Sequence, residues 1–203
     1  MASRLILVGG GARSGKSTFA LAYARHLGAA PVFIATAQAF DDEMRTRIRQ
    51  HREERGDDFV TIEEPHALAS AIAAAPGNAV VLVDCLTLWL SNRLCADVAP
   101  ATILREVDDV AAAVGARMAP TLLVTNEVGM GLVPENPLGR AFRDLAGHAH
   151  QRLGAVADEI YAGMMGVMLR LHPLPLTTFR AGSTPGAEVM KVPAASASEM
   201  SSR

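Results

Sequence analysis

Residues 5–27 read LILVGGGARSGKSTFALAYARHL, and the rest of the chain is interpreted outward from this stretch. Leu5, Ile6, Leu7 and Val8 form an apolar run without alternation that ends in glycines, the pattern of a strand covered on both faces. From Lys16 onward the composition is helical. Between the two, Gly10, Gly11, Ala12, Arg13, Ser14, Gly15, Lys16 and Ser17 fill the pattern GxxxxGK[ST] in full. Between a strand and a helix this reads as a phosphate-binding loop. Its glycines let backbone N–H groups curl around phosphate oxygens, and the helix N-terminus adds partial positive charge. Lys16 reaches the β- and γ-phosphates, and the Ser17 hydroxyl can ligate Mg²⁺.

Further short apolar runs at 32–35, 80–83 and 121–124 read as buried strands, with weaker strand patterns at 159–162 and 167–171. Helical patterns separate them, at 16–27, 42–55, 66–74, 86–94, 101–117 and 137–153. Strands alternating with helices predict an α/β fold, a mostly parallel twisted sheet with helices on both faces, of P-loop NTPase type. One domain is expected over 1–172. Residues 173–203, rich in Pro, Ala and Ser, read as a disordered tail. The run Val80-Val81-Leu82-Val83-Asp84 has the form of a Walker B strand, delivering one carboxylate to the carboxyl edge of the sheet, where Asp84 joins Ser17 as a candidate Mg²⁺ ligand.

Composition narrows the partners. With 19 basic and 21 acidic residues the net charge is -2, and no basic block marks a nucleic-acid binder. Two cysteines, without CxxC pairs, fit neither a zinc site nor a disulfide scaffold, so a reduced, cytoplasmic setting is expected. No run approaches the length of a membrane span, and no membrane insertion is expected. Lys16 and Lys191 are the only lysines, and one of them falls inside the phosphate loop.

Residues 41–55, DDEMRTRIRQHREER, open with acidic side chains suited to a helix N-terminus. Met44, Ile48, His51 and Arg55 then share one helical face, with Arg47 and Arg55 one turn away from His51 on either side. Imidazole and guanidinium groups together form an arrangement for attack on phosphorus. On pattern alone, a solvated charged helix with an incidental histidine is the commoner reading.

Resemblance shifts that balance. GGGARSGKS (9–17), FIATAQAFDDEMRTRIRQHREERG (33–56), TIEEP (61–65), VLVDCLTLWLSN (81–92), TNEVGMGLVPENPLGRAFRDLAG (125–147) and VADEIYAGMMGVMLRL (156–171) resemble, in order, the successive blocks of the adenosylcobinamide kinase / adenosylcobinamide-phosphate guanylyltransferase family. The resemblance implies two reactions: phosphorylation of adenosylcobinamide, then transfer of GMP from GTP to adenosylcobinamide phosphate. GTP and ATP are the implied co-substrates. It implies that His51 carries GMP covalently, that Lys16 is catalytic, and that Gly10 to Ser17 hold the nucleotide phosphates. Ala35, Thr36 and Ala37, then Arg52, Glu53, Glu54 and Arg55, and finally Glu63 and Asp84 are the other implied nucleotide contacts. A homotrimer is implied as well.

One departure stands out: the family usually reads GxxNQ where this chain has Gly147-His148-Ala149-His150-Gln151. A metal site at His148 and His150 is disfavoured, because residues two apart point to different sides of a helix. The segment 125–131 follows a strand at the carboxyl edge, and its glycines permit close approach of a large substrate. A regulatory GTPase is disfavoured, since no NKxD element is present and Asp84 leads into Cys85-Leu86-Thr87 rather than opening a DxxG switch. The stronger alternative is a monofunctional P-loop kinase acting on another small metabolite, which would leave His51 and its arginines idle.

Overall fold

The computed structural model describes residues 4–28, 30–39, 41–180 and 190–191, with the side chains of residues 43, 47, 54, 177–180 and 190–191 outside that description. The strands are β1 (Leu5–Gly10), β2 (Val32–Ala35), β3 (Val60–Glu63), β4 (Val81–Asp84), β5 (Thr121–Val124), β6 (Glu159–Met164), β7 (Val167–His172), β8 (Thr177–Arg180) and β9 (Met190–Lys191). The helices are α1 (Lys16–Leu27), α2 (Asp42–Arg55), α3 (Leu68–Ala74), α4 (Leu86–Cys95), α5 (Pro100–Gly115) and α6 (Pro137–Val156), with a 3₁₀ turn at Gly56–Asp58. Among the described residues they build one sheet of order β3-β2-β4-β5-β1-β6-β7-β8-β9. β3 through β6 are parallel. β7, β8 and β9 add an antiparallel extension.

The unbroken apolar runs are explained by two cores, one on each face of the sheet. Leu5 and Leu7, Val32 and Ile34, Val81 and Val83, and Leu123 face a core completed by α3, α4, α5 and α6. The intervening Ile6 and Val8, Phe33, Leu82, and Leu122 and Val124 face a second core built on α1, with Phe19, Tyr23 and Tyr161. Alternate side chains therefore enter opposite cores, and neither set can be polar. Each such residue withdrawn from water contributes about 1.5–3 kcal/mol of transfer free energy.

Two expectations are corrected. β3 has no counterpart in the sequence reading: Val60, Thr61 and Glu63 of this edge strand are exposed and Ile62 half-buried, so no apolar run announces it. The boundary expected at residue 172 falls inside the sheet, because β8 pairs with β7 through Thr177 to Arg180. Residues 181–189 and 192–203 of the expected tail lie outside the described residues.

Because β1 to β5 run parallel and in register, their carboxyl ends meet at one edge. Asp84 stands beside Ala35 on one side and Val124 on the other, Glu63 beside Ala35, and Val124 beside Val8. The phosphate loop leaves β1 at that same edge.

Candidate nucleotide-binding site

The loop's shape is fixed by close packing. Gly10 has φ +149°, and a Cβ there would lie 2.6 Å from the Gly163 carbonyl oxygen and 2.8 Å from Ser14 Oγ. Only glycine fits between β6 and the turn. Gly15, at φ +89°, forms the left-handed N-cap of α1. Ser14 is buried with its Oγ lacking a hydrogen-bond partner. The Lys16 ammonium, also buried, donates to the Gly11 carbonyl at 3.1 Å and spans the loop.

A cleft of about 570 Å³ opens beside the loop. Lys16, Ser17 and Asp84 line it from the sheet edge, Ala35 and Ala37 from the end of β2, and Glu63 from the end of β3. From α2, Met44, Ile48, His51, Arg52 and Arg55 face it, so the spacing read from sequence does bring one helical face to the phosphate loop. A volume of this size is ordinary for a ligand site.

α2 begins at Asp41, whose carboxylate accepts from the Met44 amide at 2.7 Å. Its last turn is pinned three times. The Arg55 guanidinium is buried 4.1 Å from the Phe33 ring centroid, and burial lowers its pKa from the usual value. The Arg55 carbonyl accepts from the Arg25 guanidinium at 2.7 Å. Arg52 pairs with Glu63 at 2.6 Å across two exposed side chains, so two expected nucleotide contacts hold each other in this structure.

Thr36 does not line the cleft. It is fully buried, and its hydroxyl donates to the Cys85 carbonyl at 2.8 Å while accepting from the Cys85 amide at 2.9 Å. Position 36 lies just past the strand end, where the side chain turns to the neighbouring β4 and serves as a tie. Glu53 is exposed and outside the cleft lining, and the Glu54 side chain lies outside the described residues.

Several lining residues were not among the expected nucleotide contacts. Asn126, Cys85, Leu88, Pro65, Thr61, Phe33 and Gln38 all face the cleft. Asn126 Nδ2 donates to Thr87 Oγ1 at 2.9 Å. Behind the cleft the buried Asn92 donates to the Thr36 carbonyl at 2.8 Å and the Pro65 carbonyl at 3.1 Å, joining the loops after β2 and β3. Its only sequence signal was a polar residue on an otherwise buried helical face. Arg143 pairs with adjacent Asp144 at 3.2 Å, and Arg140 donates to the Pro134 and Glu135 carbonyls, so neither arginine faces the cleft.

Fold and cleft together define the class: a P-loop nucleotide-binding α/β protein. The RadB recombinase, whose crystal structure aligns at TM-score 0.52 and 16% identity over 88% of this chain and 87% of that one, shares this fold. Residues 6–171 match the family described as cobinamide kinase / cobinamide phosphate guanyltransferase, and the chain belongs to it. Its relatives include the bifunctional adenosylcobalamin biosynthesis protein CobU of Salmonella typhimurium, 43% identical over 82% of this chain and 99% of the relative. CobP of Pseudomonas aeruginosa is 40% identical over 84% and 98%, and CobU of Escherichia coli 39% identical over 82% and 99%. Among the described residues no helix is long and apolar enough to cross a membrane.

Proposed function

We propose that this chain phosphorylates adenosylcobinamide and then transfers GMP from GTP to adenosylcobinamide phosphate through a GMP–His51 intermediate. One observation carries the reading: His51 faces the same cleft as Lys16, Ser17 and Asp84. A triphosphate gripped by the loop's backbone amides would lie within that cleft, with α2 along one wall.

In the guanylylation step an imidazole nitrogen of His51 attacks the α-phosphorus of GTP, and pyrophosphate leaves with the electron pair of the broken P–O bond. A phosphate oxygen of the corrinoid phosphate then attacks the same phosphorus, the P–N bond breaks, His51 leaves with its electron pair, and the single P–O–P linkage of the product is formed. The covalent intermediate divides one difficult coupling into two displacements. Lys16 and the loop amides stabilise charge that develops on the phosphate oxygens. The Ser17 hydroxyl and Asp84 carboxylate, hard oxygen donors on one cleft, fit Mg²⁺, which when bound neutralises phosphate charge. ATP or GTP serves the phosphorylation step.

Incubation with GTP labelled at the α-phosphate is expected to leave acid-labile, alkali-stable label on the protein, and none on His51→Ala. Equal labelling of that variant would overturn the histidine mechanism. Assembly as a trimer belongs to the same reading and is measured by light scattering.

A further inference from the structure

We propose that Glu127 is the base that takes the proton from the hydroxyl phosphorylated in the kinase step, and that His150 holds its carboxylate in place. The proposal rests on the kinase reading above.

Position is the first argument. The Glu127 amide donates to the Gly10 carbonyl at 3.0 Å, which fastens this residue to the start of the phosphate loop. It directly follows Asn126, which lines the cleft with Lys16 and Asp84, and itself stands outside that lining. The chain then continues through Met130, Leu132 and Val133, all exposed, so the segment that follows the carboxylate presents apolar side chains to solvent. A bulky alcohol can rest there while its hydroxyl points toward the phosphates.

Availability is the second. Of the other carboxylates at this edge, Glu63 is neutralised by Arg52 at 2.6 Å, and Glu64 accepts from the amides of His66 and Ala67. Asp84 ends the central strand beside Ser17's loop and is accounted for as an Mg²⁺ ligand. Among the described residues Glu127 has no arginine or lysine in its ion pairs. Its Oε1 accepts from the Gly129 amide at 2.6 Å, and its Oε2 lies 3.7 Å from His150 Nδ1.

His150, on α6, supplies the orientation. Its Nε2 is 2.7 Å from the hydroxyl of buried Thr125. Burial lowers its pKa from the usual value against the opposing pull of Glu127, which keeps the imidazole neutral. With Nδ1 turned to a carboxylate, the proton belongs on Nδ1 and Thr125 donates to Nε2. At 3.7 Å the Nδ1–Oε2 contact is longer than a hydrogen bond, so His150 acts on the carboxylate by proximity and polarity in this structure. In the reaction the hydroxyl oxygen bonds to the γ-phosphorus, the bond from that phosphorus to the β–γ bridging oxygen breaks, the nucleoside diphosphate leaves with the bond pair, and the hydroxyl proton passes to Glu127.

The test uses the full-length protein with Mg²⁺, ATP or GTP, and adenosylcobinamide. Glu127→Gln is expected to lower kcat for phosphorylation by about 100-fold or more, with both KM values within about twofold of the parent, and still to take up label from α-labelled GTP. Glu127→Asp, which keeps a carboxylate one methylene further back, falls between. His150→Ala lowers kcat by about tenfold, and His150→Asn, which keeps an N–H donor near the Nδ1 position, recovers most of the loss. Phosphorylation by Glu127→Gln at the parental rate overturns the proposal. A parent protein that takes up label but yields no phosphorylated corrinoid overturns the kinase reading, and this proposal with it.

Discussion

The phosphate loop and the helix that bears His51 line one cleft, yet they are held in different ways. The loop springs from β1, which lies between β5 and β6 with both faces covered. It is further wedged by Gly163 and Ser14. α2 is almost the reverse: among its described side chains only Arg55 is buried, and its fixings, the Phe33 stack, the Arg25 bond and the Arg52–Glu63 pair, all gather at its last turn. An exposed pair of that kind contributes at most about 1 kcal/mol. The phosphate loop is therefore built into the core, while His51, the proposed nucleophile, rides on an element tethered at one end. A protein that catalyses two displacements at different phosphorus atoms of a triphosphate is served by that division, since only one partner has to shift.

The sharpest way to break this contrast is chemical. Lys16→Ala is expected to lower both reactions by about 10²–10³-fold in kcat/KM, because both need the stabilised phosphate charge. His51→Ala abolishes guanylyl transfer but lowers phosphorylation by about tenfold at most. Parallel loss of both reactions in the two variants would mean that loop and helix act as one unit. Stability gives the next largest signal. Ile34→Ala, in the core beneath the sheet edge, is expected to cost about 2–5 kcal/mol by denaturant titration. Ile48→Ala, half-buried on α2, costs about 1 kcal/mol or less. The smallest effect is in amide exchange: α2 amides are expected to exchange faster than those of α1, and a bound triphosphate should narrow the gap. Equal protection in the free protein would refute the one-ended tether.

How far the sequence discloses these features follows from the range of the interactions behind them. The phosphate loop was legible because its conformation is set within eight residues, and Asp84 because an apolar run ended on it. The Met44, Ile48 and His51 face was legible as a period, though the pattern alone did not say what it faced. β3 was invisible, since an exposed edge strand holding Thr61 and Glu63 carries no apolar signature. Thr36 was placed in the site by the family resemblance, and the structure turns it inward to Cys85, a partner 49 residues away. Asn92 was given no role, and Asn126 was read only as part of the 125–131 segment, for the same reason: their meaning lies in carbonyl and hydroxyl partners on other elements.

The central place of β1 in the sheet bears on how the chain matures during synthesis. β1 has as its neighbours Thr121–Val124 and Glu159–Gly163, so more than a hundred further residues must be made before it is flanked on either side. A fragment halted before Glu159 would carry the whole GxxxxGK[ST] signature and yet lack the strand that wedges Gly10. Nucleotide affinity should accordingly arise only once Glu159–Gly163 has been made and paired.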